Sequence, residues 1–155
     1  MLVCTYGSTV FGVDAQTITI EVNIGQGINF FLVGLPDSAV KESQHRIDAA
    51  LKNNGYKIPG KGITINMAPA DLKKEGSAYD LPIALGILLA SEQISSQINM
   101  KHCVLMGELA LDGSVRPIKG ALPIAIQARK EGFKKLFVPQ ENAREAAIVN
   151  DIEVY

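Results

Sequence analysis

The chain has no tryptophan, two cysteines and two histidines in 155 residues. Each scarcity removes a class of chemistry. Cys4 and Cys103 stand alone in apparent strands without C-x-x-C spacing, so a disulfide or thiolate-metal framework is not expected and both read as reduced core residues. His45 and His102 have no carboxylate or cysteine at recurrent ligand spacing, which argues against a metal centre. The longest apolar run, Leu81 to Ala90, falls well short of the roughly 20 residues needed to span a bilayer. The start, "MLVCTYGSTV", has neither the basic opening nor the apolar centre of a signal peptide, so the expected location is the cytoplasm and no membrane partner is expected.

What remains is a globular composition, 47% hydrophobic and 20% charged, with a net charge of −1. The charge is distributed in blocks. Residues 1–38 carry three acids and no base, while residues 39–74 carry seven bases against three acids. Residues 75–115 reverse this with one base against five acids, and residues 116–155 return to seven against five. Such segregation suits either a basic surface for nucleic acid or opposite surfaces that meet between neighbouring subunits.

Periodicity places the elements. "QTITIEVNI" alternates Ile18, Ile20, Val22 and Ile24 with polar residues, the pattern of a half-buried strand. With "LVCTYGSTV" before it and "INFFLVG" returning after a Gly-Gln-Gly turn, an antiparallel opening sheet is expected. After "LPDS", Asp37 or Ser38 can cap a helix with Val40, Gln44, Ile47 and Leu51 inside and Lys41, Glu42, His45, Arg46, Asp48 and Lys52 outside, stopping at Gly55. "ITINM" reads as a buried strand. Asp80 is placed to cap a second helix, apolar nearly all round and therefore central. Asp112-Gly113 should turn a hairpin. A helix closed by Gly132, a short strand, a short helix and a last strand at "DIEVY" complete an α+β (α/β) pattern over residues 1–155, read as a single domain. Ending on a strand suggests a domain edge within a larger parent.

"GYKIPGKG", Gly55 to Gly62, nearly matches the phosphate loop G-x-x-x-x-G-K-[ST]. That loop must follow a strand and open a helix so that backbone N–H groups converge on phosphate. Here a helix precedes and a strand pattern follows, Pro59 removes an amide, and Gly62 stands where the hydroxyl belongs. The expectation is a connection exposing Lys57 and Lys61, not a nucleotide site.

"GLPD", "N-x-APADL-x-KEGS", "DLPIALG" and "GEL-x-LDG-x-VRP" occur in that order. With the residues between them, they closely resemble the N-terminal domain of magnesium-chelatase-like AAA+ ATPases of the ComM (YifB) type, over essentially the whole chain. The resemblance implies the fold shared by the Lon protease C-terminal domain and the second domain of a ribosomal protein. It also implies a longer parent in which an ATPase module binds ATP and magnesium, assembles as a hexamer, and drives DNA branch migration in natural transformation. The partners it implies are that module, neighbouring subunits and DNA, and no cofactor is expected in this chain.

Lon-like peptidases use a Ser-Lys dyad, in which lysine takes the serine proton. Aligning their serine motif with "GSAYDL" puts the serine's place at Ala78, and aligning their lysine motif with "PIKGAL" puts the lysine's place at Leu122. Neither side chain transfers protons, so a non-catalytic accessory role follows from the resemblance. Two alternatives stand beside it: a purely structural oligomerisation module, and a displaced dyad built from Ser77 and Lys119. The candidate DNA surface comprises Lys41, Arg46, Lys52, Lys57, Lys61, Lys73 and Lys74, with Arg116 and Lys119 if the hairpin folds nearby.

Overall fold

In the computed structural model, which describes residues 1–155, β1 (Leu2–Phe11) and β2 (Asp14–Gly25) form an antiparallel hairpin closed by Gly12 and Val13. Gly12 has φ +60°, which suits the left-handed turn that joins twisted strands with two residues. Ile18, Ile20, Val22 and Ile24 all point to one buried face, as their alternation requires.

The opening sheet departs from the expected simple meander. Strand β4 (Gly62–Ala68) takes the free edge of β2, antiparallel, and β3 (Phe30–Val33) pairs parallel with β4 on the outside, giving the order β1-β2-β4-β3. The physical reason is the helical crossover from β3 to β4: strands joined in that way run parallel. The crossover consists of a short α1 (Ser38–Lys41) and a longer α2 (Ser43–Asn53) rather than one continuous helix. Asp37 caps α1, its Oδ1 accepting from Val40 N–H at 2.8 Å. Val40, Ile47 and Leu51 are buried as expected, and Gln44 is half-buried.

Helix α3 (Asp80–Ala90) crosses the inner face of the sheet. Gly86 meets β2 so closely that a Cβ there would lie 2.6 Å from Val22 Cγ2, which is why this apolar helix tolerates glycine at its centre. On the opposite face of β1, Tyr6 meets Phe133, ring centroids 5.5 Å apart, just beyond α4 (Ala121–Lys130). The later half supplies a parallel three-stranded sheet, β5 (Cys103–Leu105), β8 (Lys135–Phe137) and β9 (Glu153–Val154), in the order β5-β8-β9. Between β5 and α4 stands the hairpin of β6 (Glu108–Leu109) and β7 (Val115–Arg116), turned at Asp112-Gly113 as expected. Helix α5 (Ala143–Ala146) lies between β8 and β9.

One cluster of 29 buried residues runs from Ile18 and Ile65 through Ile83 and Ile124 to Leu136 and Ile152, so both sheets share a core. Cys103 belongs to the interior, while Cys4 is only half-buried; both thiols are free, and burial pushes both above the ordinary thiol range. No helix is long and apolar enough to cross a membrane.

Candidate functional site

The polar chemistry of the molecule concentrates at the N-terminal end of α3. Asp80, expected as a cap, is instead the first helical residue, and its carboxylate is fully buried. Oδ2 accepts from Arg46 Nε at 2.6 Å and from Leu109 N–H at 3.1 Å. Oδ1 accepts from Arg46 Nη2 at 3.0 Å and from Ser43 Oγ at 2.6 Å. This two-pronged pairing joins α2, α3 and β6 at one point. Its hydrogen bonds raise Arg46 above the ordinary arginine value, against the opposing pull of burial. Arg46 therefore leaves the candidate DNA surface: its guanidinium is committed inward, and Nη2 also donates to the Ala39 carbonyl at 2.9 Å.

Lys74 leaves it as well. The residue is fully buried, with Nζ donating to the carbonyls of Gly34, at 2.6 Å, and Pro69. Burial lowers its pKa from the ordinary 10.5, with Asp71 opposing weakly. Neighbouring backbone bonds, Lys74 N–H to Leu35 O and Asp37 N–H to Lys74 O, complete a tie between the segments that follow β3 and β4. The adjacent lysines of "KKEG" are thus used in opposite ways. Lys73 is exposed and pairs with Glu75 at 3.3 Å.

Beside this framework opens a cleft of about 890 Å³. One wall is the last stretch of β1, Ser8 to Phe11; the other holds Gly76, Ser77, Ala78 and Tyr79, with Glu108, Pro117, Ile118 and Lys119 from the hairpin and its exit. Tyr79 is nearly sealed in the core, and burial raises its phenol above the ordinary tyrosine range.

Ser77, Ala78 and Lys119 therefore share a cleft, which sequence spacing alone could not establish. Leu122 does not line it; it is the second residue of α4, its N–H donating to Glu145 Oε1 at 2.9 Å. The hydroxyl of Ser77 donates to Glu108 Oε2 rather than engaging Lys119, which is exposed and makes no side-chain hydrogen bond or ion pair. Glu108 and the edge of β1 went unnoticed in the sequence reading. The cross-strand pairing of Glu108 with Arg116 was the only signal, implicit in the "DG" turn.

The other basic candidates separate into two groups. Lys57 and Lys61 are exposed on the connection between α2 and β4, held where Gln93 bonds both the N–H and C=O of Lys57. Lys73 and Lys119 border the cleft beyond the opposite end of β4, about 20 Å away along a strand rising about 3.3 Å per residue. Lys52 pairs with Asp48 at 2.8 Å, while Lys41 and Arg116 are exposed without an ion-pair partner. The nine candidates do not form one continuous surface. "GYKIPGKG" runs from the end of α2 to the start of β4, as its flanks require, and no helix begins there. No group of three or more His, Cys, Asp and Glu side chains is arranged around a common point.

An α+β domain with a mixed sheet, a central apolar helix and a polar cleft at that helix's N-terminal end is the class these features define. Residues 20–142 match the family described as Subunit ChlI of Mg-chelatase, and the chain belongs to that family. It is 44% identical to Competence protein ComM of Haemophilus influenzae over 155 residues, covering 99% of this chain and 30% of that protein. It is 46% identical to YifB, an uncharacterised protein of Escherichia coli, over 140 residues, covering 90% of this chain and 27% of that protein. A more distant likeness, 30% over 116 residues, links it to Lon protease 2 of Bacillus subtilis, covering 75% of this chain and 20% of that protein. The chain thus spans less than a third of the length of each of these relatives.

Proposed function

We propose that this chain is a non-catalytic accessory domain of a magnesium-chelatase-like AAA+ ATPase of the ComM type, assisting ring assembly or DNA engagement in a branch-migration motor. ATP and magnesium would be bound by the remainder of a longer protein. The observation that carries the non-catalytic reading is which residues stand at the dyad positions. The serine and lysine places of a Lon-like dyad are held by Ala78 and Leu122, and the nearby Ser77 hydroxyl is engaged by Glu108. Lys119 makes no hydrogen bond to that hydroxyl, so no lysine is placed to take its proton. Incubation with an unfolded protein substrate is expected to give no cleavage; cleavage abolished by Ser77→Ala would overturn this reading.

DNA engagement rests on exposed, unpaired charge, and Lys57 and Lys61, both on the connection between α2 and β4, meet that condition. Phosphate attraction is sensitive to salt, each neutralised phosphate contributing about 0.9 to the slope of log affinity against log salt for duplex DNA. Changing both lysines to alanine is expected to weaken DNA binding and to reduce that slope by about 2. Unchanged affinity and slope would remove this surface from the proposal. An oligomer that dissociates with salt while DNA affinity stays negligible would favour a purely structural assembly role.

A further inference from the structure

The wall of the cleft formed by β1 is a strand edge that no other strand pairs, buried at Ser8 and Thr9 and reachable from solvent at Val10 and Phe11. The two-residue turn at Gly12 and Val13 makes Phe11 and Asp14 the hydrogen-bonded pair that closes the hairpin. In an antiparallel ladder such pairs alternate, so Thr9 and Phe11 exchange bonds with β2, whereas Ser8 and Val10 direct their N–H and C=O groups away from it. The observed bond of Ser8 N–H to Met106 Sδ, 3.2 Å, agrees with that parity, since it points off the free edge. Beyond Met106 no strand pairs with β1, and Ser8, Thr9, Val10 and Phe11 line the cleft directly.

We propose that the cleft binds an extended segment of another polypeptide by adding it as a strand to the edge of β1, without cleaving it. An unpaired edge presents donors and acceptors at the spacing of a second strand. About 890 Å³ lies within the range of about 300–1,000 Å³ common to ligand sites. The occupant is a peptide rather than a nucleic acid strand, because outward carbonyls and the carboxylates of Asp37, Glu75 and Glu108 oppose phosphate.

The charges also constrain which peptide is accepted. Asp37 is engaged by the N–H groups of Val40 and Gly76, Glu75 by Lys73, and Glu108 by Ser77. Lys119 is the one charged lining residue with no hydrogen-bond or ion-pair partner. Side chains alternate across an added strand, so one peptide residue can present a carboxylate toward Lys119 while its neighbours face the other way. The preferred occupant is therefore an extended segment with a single glutamate or aspartate among β-formers. This inference requires no DNA contact and stands apart from the outcome at Lys57 and Lys61.

The test is fluorescence anisotropy of the 155-residue chain with a short fluorescein-labelled peptide carrying one glutamate among valines and threonines. Saturable binding is expected, lost when proline replaces the central residues and removes their N–H groups. Lys119→Glu, on an exposed side chain, is expected to weaken binding roughly tenfold. Val10→Pro, which removes an outward N–H while sparing the ladder to β2, is expected to abolish it; circular dichroism monitors the fold of that variant. Absence of saturable binding, or equal binding of the proline peptide, would overturn the proposal. Displacement of the peptide by a single-stranded oligonucleotide, with loss of that competition in Lys119→Glu, would overturn it in favour of a phosphate site.

Discussion

The two ends of β4 treat charge in opposite ways. At the Ala68 end, Asp80, Arg46 and Lys74 are drawn into the interior or against it and each given at least two hydrogen-bond partners. At the Gly62 end, Lys57 and Lys61 stand in solvent with no ion pair. The residue types overlap, and in sequence all four bases belong to one positively charged block. What separates them is the number of backbone carbonyls and carboxylates that the fold places within reach. The buried end builds the shape of the cleft; the exposed end is free for a partner.

That contrast can be broken most severely at Asp80. Asp80→Ala leaves the Arg46 guanidinium without its carboxylate and strands Ser43 Oγ and Leu109 N–H, and breaking a buried pair on one side costs about 3–5 kcal/mol. Urea denaturation should show a loss of that size. A loss below about 1 kcal/mol, the level of a surface ion pair, would mean that Arg46 remains solvated and that the two ends differ less than described.

Lys74→Met keeps the aliphatic stem but leaves the carbonyls of Gly34 and Pro69 without their donor, for an expected loss of about 1–3 kcal/mol. Its pH dependence sharpens the comparison. Burial lowers the folded pKa below the unfolded value of 10.5, so between those two values the unfolded chain binds more protons. Stability of the native protein should therefore rise with pH through that window relative to the methionine variant. Denaturation of both proteins at successive pH values up to 10 measures the difference, in which the common contribution of Tyr79 cancels. A difference that stays constant would show that Lys74 is not desolvated.

At the exposed end the expected effect on stability is the smallest. Lys57→Ala with Lys61→Ala should change unfolding free energy by no more than about 0.5 kcal/mol per site, since neither side chain has a partner to lose. A larger loss would show that these lysines help hold the connection between α2 and β4.

Much of the framework was legible because it depends on local pattern. Strict alternation in β2 and β4, the Asp-Gly turn, the stop at Gly55 and the almost wholly apolar α3 each follow from residues close together in the chain. The position of β3 was not legible in that way, because choosing between an antiparallel return and a parallel edge depends on which strand reaches β2 first. The cleft was half legible. Ala78 and Leu122 could be placed by resemblance, but only three-dimensional geometry bonds Ser77 to Glu108, distant in sequence, and brings Lys119 to the same cleft without a bond to either.

By itself, then, the sequence determined the periodic elements, the family and the absence of a phosphate loop at "GYKIPGKG", since each rests on residue types at short, fixed spacings. Tertiary structure alone decided that Lys73 is a surface charge while Lys74 is a buried donor, that Asp80 pairs with Arg46 instead of capping its helix, and that β1 keeps an unpaired edge beside a cleft. The physical reason is common to all three. The fate of a polar group depends on the partners that distant segments bring to it, and those partners lie outside any local window of sequence.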